Sequence, residues 1–310
     1  MSRILAPAAT DMSVITKAVL ATLPYVPTPI MRRLASRYIA GERFEDALLR
    51  LEGLARRSHP GVLDILGEGI TSVEAARAVC ASYEAAAERL AKAGLDAYVS
   101  VKPTHLALTR DEELCHDLYA RLARHCRALG LFLRVEMEDA PTTDGTLRVF
   151  ERLRKAHDNV GIVLQSRLFR TPADIAALAP GPLDVRMVKG IYLEPEDIAH
   201  TEPEPIRAAF ADCVDALFAR GARVRFATHD EHLAERCIEL VRRHQVQRGD
   251  YEFQVLLGVR EELWELWKGA GHTVRVYVPY GADWRAYSMR RMRKNPKIIG
   301  HVIKQAFGLR

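Results

Sequence analysis

The chain has 310 residues, 48% hydrophobic and 27% charged, with a net charge of +5. That is the composition of a globular protein of one large domain or two modest ones, and the charge surplus is too small to imply a nucleic-acid partner. No run approaches the ~18 apolar residues that span a bilayer, and Asp11 and Lys17 interrupt any secretory-signal layout.

The first sixty residues alternate apolar and charged positions at helical spacing, as in 44–54, and Pro24, Pro27 and Pro29 divide them into at least two pieces. From Gly61 onward one unit recurs: a short, β-branched apolar run, a polar residue or turn, then a longer helical pattern. The runs are 61–66, 96–102, 131–138, 160–165, 184–189, 223–229, 251–257 and 273–278, with helical stretches such as 72–93 and 112–129 between them. Strands alternating with helices predict a parallel sheet, and eight such units predict a (βα)8 barrel, with a doubly wound open sheet as the alternative. The expected division is a helical segment over 1–60 and a barrel over 61–310. Gly67-Glu-Gly69-Ile-Thr-Ser72 imitates a dinucleotide fingerprint, but Ser holds the third glycine's place and Lys102 ends the next strand, so it reads as a plain turn.

Five cysteines (Cys80, Cys115, Cys126, Cys213, Cys237) are odd in number and widely spaced, which argues for a reducing compartment rather than a disulfide framework. The Cys115-His116 and His125-Cys126 pairs match no closed tetrahedral pattern, so no metal is expected. In a barrel, function sits at the C-terminal strand ends. Those ends carry Asp64 and Glu68, Lys102, Glu136 and Glu138, Gln165, Arg186 and Lys189, Thr228 and His229, Gln254, then Tyr277 and Tyr280. The last strand runs into a helix bearing Arg290-Arg291, a pair suited to a small carboxylate because guanidinium presents a fixed fork of donors and keeps its charge. The ring reads as an anion site, plausible for phosphates. Its lysines also permit a Schiff-base or phosphate-handling barrel enzyme, and an organic cofactor fits a site with no evident nucleophile.

From about Tyr38 onward the chain resembles the proline dehydrogenase family, in its monofunctional bacterial form. The motifs are Asp64-Ile-Leu-Gly-Glu68, Val101-Lys102, Met137-Glu-Asp139, Gly161-Ile-Val-Leu-Gln165-Ser, Arg186-Met-Val-Lys189-Gly190, Ala227-Thr-His229-Asp, Glu252-Phe-Gln254 and Tyr277-Val-Pro-Tyr-Gly281, followed by Tyr287 and Arg290-Arg291. The resemblance implies a (βα)8 barrel holding FAD, oxidation of L-proline to Δ1-pyrroline-5-carboxylate, and electrons passed to a membrane quinone. It also implies a cytoplasmic protein in peripheral contact with the inner face of the membrane. A dehydrogenase of another cyclic amino acid such as hydroxyproline is the nearest alternative. By the same resemblance Lys102, Arg290 and Arg291 hold the substrate carboxylate, Tyr277, Tyr287 and Leu257 shape the pocket, and Glu68 pairs with Arg290 as a gate. Glu136 stands among the catalytic residues, while Gln165, Arg186, Val188, Lys189, Gly190, Thr228 and His229 contact FAD. The chain departs from the family pattern at Glu136 (usually Asp), Pro103, Ile191, Leu193 and Lys294.

Overall fold

The computed structural model describes residues 27–294 except Thr71, and the side chains of these except Leu34 and 290–294. Eight strands, β1 (Gly61–Ile65), β2 (Ala97–Val101), β3 (Leu133–Val135), β4 (Val160–Gln165), β5 (Asp184–Val188), β6 (Arg223–Ala227), β7 (Tyr251–Leu256) and β8 (Val274–Tyr280), close into a barrel in sequence order. Every pairing is parallel, and β8 returns to β1 with Tyr277 opposite Val62 and Pro279 opposite Asp64. The third strand is shorter than its apolar run suggests, because the chain leaves the sheet at Glu136 to reach Asp139 and the turn that follows.

Among the described residues, two helices precede the barrel, α1 (Thr28–Ala35) and α2 (Phe44–Arg56). Between and after the strands come α3 (Val73–Ala93), α4 (Glu112–Ala128), α5 (Thr143–Arg154), α6 (Thr171–Ala177), α7 (Pro203–Ala219), α8 (Glu231–Arg243), α9 (Glu261–Gly269) and α10 (Trp284–Lys294). Local chemistry sets their starts. Ser72, Asp111 and Asp230 accept hydrogen bonds from the amides of Ala75, Leu114 and Leu233, satisfying donors that a helix cannot pair internally. Pro29 opens α1 rather than breaking it, since its missing N–H costs nothing in the first turn. Pro24 lies outside the described residues.

The apolar faces of the helices pack on the outside of the barrel, where Val99, Val135, Ile162, Val185, Phe226, Phe253 and Val276 are fully buried. A smaller cluster of Met31, Ala35, Tyr38, Ile39, Leu66 and Trp284 fastens α1 to α10 over the end of β1. The turn after α1 also presses on the loop after β7. Gly258 has φ +69°, and a Cβ there would fall 1.9 Å from the carbonyl oxygen of Arg37. Gly258→Ala is therefore expected to cost about 1–3 kcal/mol through a strained φ and a displaced backbone. A shift of the urea midpoint at unchanged slope measures it.

The barrel interior is polar where such barrels commonly hold branched apolar side chains. Toward the N-terminal ends, Asp184 lies between two guanidiniums, 2.5 Å from Arg134 and 2.7 Å from Arg225, and all three side chains are nearly or fully buried. Burial pushes the Asp184 carboxyl up, but Arg134 and Arg225 outweigh it and hold its pKa at about 2. Arg275 bridges Glu252 and Asp96, each at 2.9 Å.

Candidate active site

Side chains alternate across a strand, so inward positions near the C-terminal strand ends point into the barrel mouth. Asp64, Lys102, Glu136, Gln165, Arg186, Gln254 and Tyr277 meet there and line a cleft of about 940 Å³. That volume lies in the upper part of the ~300–1,000 Å³ typical of ligand sites.

The first wall is built on two ion pairs. Lys102 Nζ donates to both carboxylate oxygens of Asp64, at 2.9 and 2.8 Å, and Asp64 is 1% exposed. Burial works against the Lys102 charge, but Asp64 and Glu136 overcome it and raise the ammonium above its ordinary range. Lys102 is therefore a fixed cation at neutral pH. Glu136 accepts from Ser100 Oγ at 2.5 Å, Arg186 Nη1 at 2.6 Å and Tyr277 Oη at 3.2 Å. Burial opposes its ionisation, and Arg186 and Lys102 more than offset that, so its pKa is lowered. Tyr277 moves the other way: burial and the charges of Asp64 and Glu136 push its hydroxyl well up, so it stays protonated and donates. The Arg186 guanidinium sits 5.2 Å from the centre of the Tyr277 ring.

The opposite wall is suited to a large anion. Lys189 and Arg207 both bond one Asp230 oxygen, at 2.5 and 2.6 Å, and Arg207 also donates to Glu204 at 3.3 Å. Burial raises Asp230, but these two partners dominate and hold it far below the usual carboxylate range. Gly190 has φ +97°, and a Cβ there would lie 2.7 Å from Gln165 Oε1, so the chain passes Gln165 closer than any side-chain-bearing residue allows. Gln165 itself is tied by its amide to the Glu138 carbonyl at 2.8 Å. Thr228 accepts from the amide of Asp230 at 3.1 Å. His229 Nε2 accepts from the Leu256 amide at 2.9 Å, which puts the proton of the neutral ring on Nδ1.

Of the expected site residues, Lys102, Glu136, Gln165, Arg186, Val188, Lys189, Gly190, Thr228, His229, Tyr277 and Tyr287 line this one cleft. Leu257 does not. Strand alternation turns it away, buried in the apolar core, and its neighbour Leu256 faces the cleft instead. Glu68 is exposed in the loop after β1 and is not among the lining residues. Arg290 and Arg291 follow Tyr287 on α10, but their side chains, and that of Lys294, lie outside the described residues. Pro103 opens a short 3-10 turn after Lys102, whereas Ile191 and Leu193 stand 65% and 81% exposed at and beyond the mouth. Sequence reasoning assigned no role to Asp64, Tyr192, Arg207 or Asp230, which also line the cleft. The acidic residue before α8 was a readable capping signal. Tyr192 sits in an irregular loop and carried none. Among the described residues, no group of three or more His, Cys, Asp or Glu side chains could hold a metal ion, and no helix is long and apolar enough to cross a membrane.

The sequence model of the proline dehydrogenase family matches residues 47–302. A proline dehydrogenase of Deinococcus radiodurans is 33% identical over 279 residues, covering 88% of this chain and 90% of that protein. Proline dehydrogenase 1 of Bacillus subtilis (strain 168) is 29% identical over 270 residues, covering 87% and 89%. Among solved structures, proline utilization A (PutA) from Bdellovibrio bacteriovorus, inactivated by N-propargylglycine, superposes with a TM-score of 0.78 at 25% identity. That match covers 84% of this chain but 32% of PutA, so the chain spans about a third of the longer protein. The barrel, its cleft and the match over most of the sequence identify the chain as a member of the proline dehydrogenase family.

Proposed function

We propose that this protein oxidises L-proline to Δ1-pyrroline-5-carboxylate with FAD as its cofactor and passes the electrons to a membrane quinone. The observation that carries this reading is the cleft with two unlike walls. A cationic Lys102 stands beside Glu136, Arg186 and Tyr277, and Lys189 and Arg207, joined through Asp230, stand opposite.

The residues present fit FAD on two counts. The cleft volume suffices, and Lys189 and Arg207 bring two cations together at its wall, as a pyrophosphate needs. Gln165, Arg186, Val188, Lys189, Gly190, Thr228 and His229 would hold it. Bound there, FAD supplies the hydride acceptor. The chain's own contribution is orientation and charge. Lys102, with Arg290 and Arg291 from α10, would fix the proline carboxylate, and Tyr277 and Tyr287 would confine the ring, so that one carbon is presented for oxidation. Arg186 would hold the cofactor with a fixed positive charge, which favours an acceptor that gains negative charge. Glu68 would close the site against Arg290. Contact with the inner face of the cell membrane would bring the quinone within reach.

The Schiff-base alternative is disfavoured by the state of Lys102. A lysine nucleophile needs a depressed pKa, and here Asp64 and Glu136 raise it. The purified protein is expected to take up FAD with a yellow, oxidised-flavin spectrum and to form Δ1-pyrroline-5-carboxylate from proline with a quinone analogue. Failure to bind FAD overturns the proposal. Turnover of hydroxyproline without proline would move it to that substrate.

A further inference from the structure

One layer below the cleft, the β2 side chain of Tyr98 is held in a way that the proposed chemistry leaves unexplained. Its hydroxyl accepts from Gln254 Nε2 at 2.7 Å and from Arg186 Nη2 at 3.4 Å. Gln254 in turn accepts from Arg186 Nε at 2.5 Å and donates to Glu252 at 2.6 Å. The guanidinium of Arg186 thus has one edge on the Gln254–Tyr98 pair, while Nη1 reaches Glu136 and Ser100. A planar fork gripped at Nε, Nη1 and Nη2 has no freedom to rotate.

The surroundings of Tyr98 are cationic. Arg134 from β3 and Arg275 from β8 lie 5.7 and 5.0 Å from its ring centre, Arg186 comes from β5, Arg225 approaches from β6, and Glu252 on β7 is the anion facing it. Arg134 and Arg225 share Asp184, Arg186 pairs with Glu136, and Arg275 pairs with Glu252 and Asp96. Burial resists ionisation of Tyr98, but Arg134, Arg186 and Arg275 outweigh it, and its pKa is lowered where those of Tyr83, Tyr119 and Tyr277 are raised.

We propose that Tyr98 is a positioning residue for the reaction: with Gln254 it fixes the plane of Arg186, and its hydroxyl sets how much positive charge that guanidinium presents to the cleft. This rests on the reading that Arg186 faces the flavin. An oxygen losing its proton beside Arg186 would cancel part of that charge, disfavour the reduced cofactor and lower its midpoint potential as the solution becomes alkaline.

The test uses FAD-loaded protein and the isosteric variant Tyr98→Phe, with Gln254→Met as a second variant should the first fold poorly. At neutral pH each is expected to slow flavin reduction by proline about tenfold while KM stays within about twofold, because the carboxylate clamp is untouched. In alkaline solution the wild-type potential should fall below its extrapolated pH line, and Tyr98→Phe should stay on it. Variants that bind FAD with wild-type rates, and a Tyr98→Phe potential matching wild type at every pH, would overturn the role of Tyr98 alone. A wild-type protein that binds FAD but is not reduced by proline would instead overturn the functional reading beneath it.

Discussion

Lys102→Met is expected to lower kcat/KM for proline by about 10²–10³-fold, mostly through KM. Truncating one partner of a buried, hydrogen-bonded charge pair typically costs ~2–5 kcal/mol, and each ~1.4 kcal/mol is a factor of ten. Lys102 is such a group, since it sits 14% exposed at 2.8 Å from Asp64. The loss has two sources, the missing cation for the substrate carboxylate and the buried Asp64 left behind. They separate in the double variant Lys102→Met/Asp64→Asn, which should recover thermal stability without recovering proline binding. A Lys102→Met enzyme whose KM for proline stays within threefold of wild type would remove Lys102 from the clamp.

Asp184→Asn is expected to cost about 3–5 kcal/mol of stability, because it leaves Arg134 and Arg225 buried without their shared anion. The effect should be structural, as Asp184 lies at the opposite end of its strand from Val188 and the cleft. The pH dependence carries a sign that can be checked. The folded pKa of Asp184 is about 2, below its ordinary value of 3.8, so its contribution is fully present above the unfolded value. It is lost as pH falls from about 4 toward 2. Denaturant midpoints across that window should fall more steeply for wild type than for Asp184→Asn. Parallel curves would contradict the assignment.

The barrel was readable because its signal is periodic. Apolar runs recur with helical stretches between them, and each run ends on a polar residue or a turn. The same regularity exposed Lys102, Glu136, Gln165, Arg186 and Tyr277, which face inward near the C-terminal strand ends. It failed where one residue decides the face: Leu256 and Leu257 are equally apolar, and only the register of β7 says which one meets the cleft. It failed again one layer down. Tyr98, Ser100 and Gln254 form a single network with Arg186 across two other strands, and no spacing along the chain reports a contact between residues 98 and 254. Arg207 and Asp230 likewise meet only because α7 and the loop before α8 share one side of the mouth.

The most direct test of the account is anaerobic addition of L-proline to the FAD-loaded protein, followed by the flavin absorbance. The account predicts that the oxidised-flavin band bleaches with wild type, and bleaches in Lys102→Met only at far higher proline concentration. A flavin that stays oxidised at saturating proline, in protein shown to hold FAD, would contradict it.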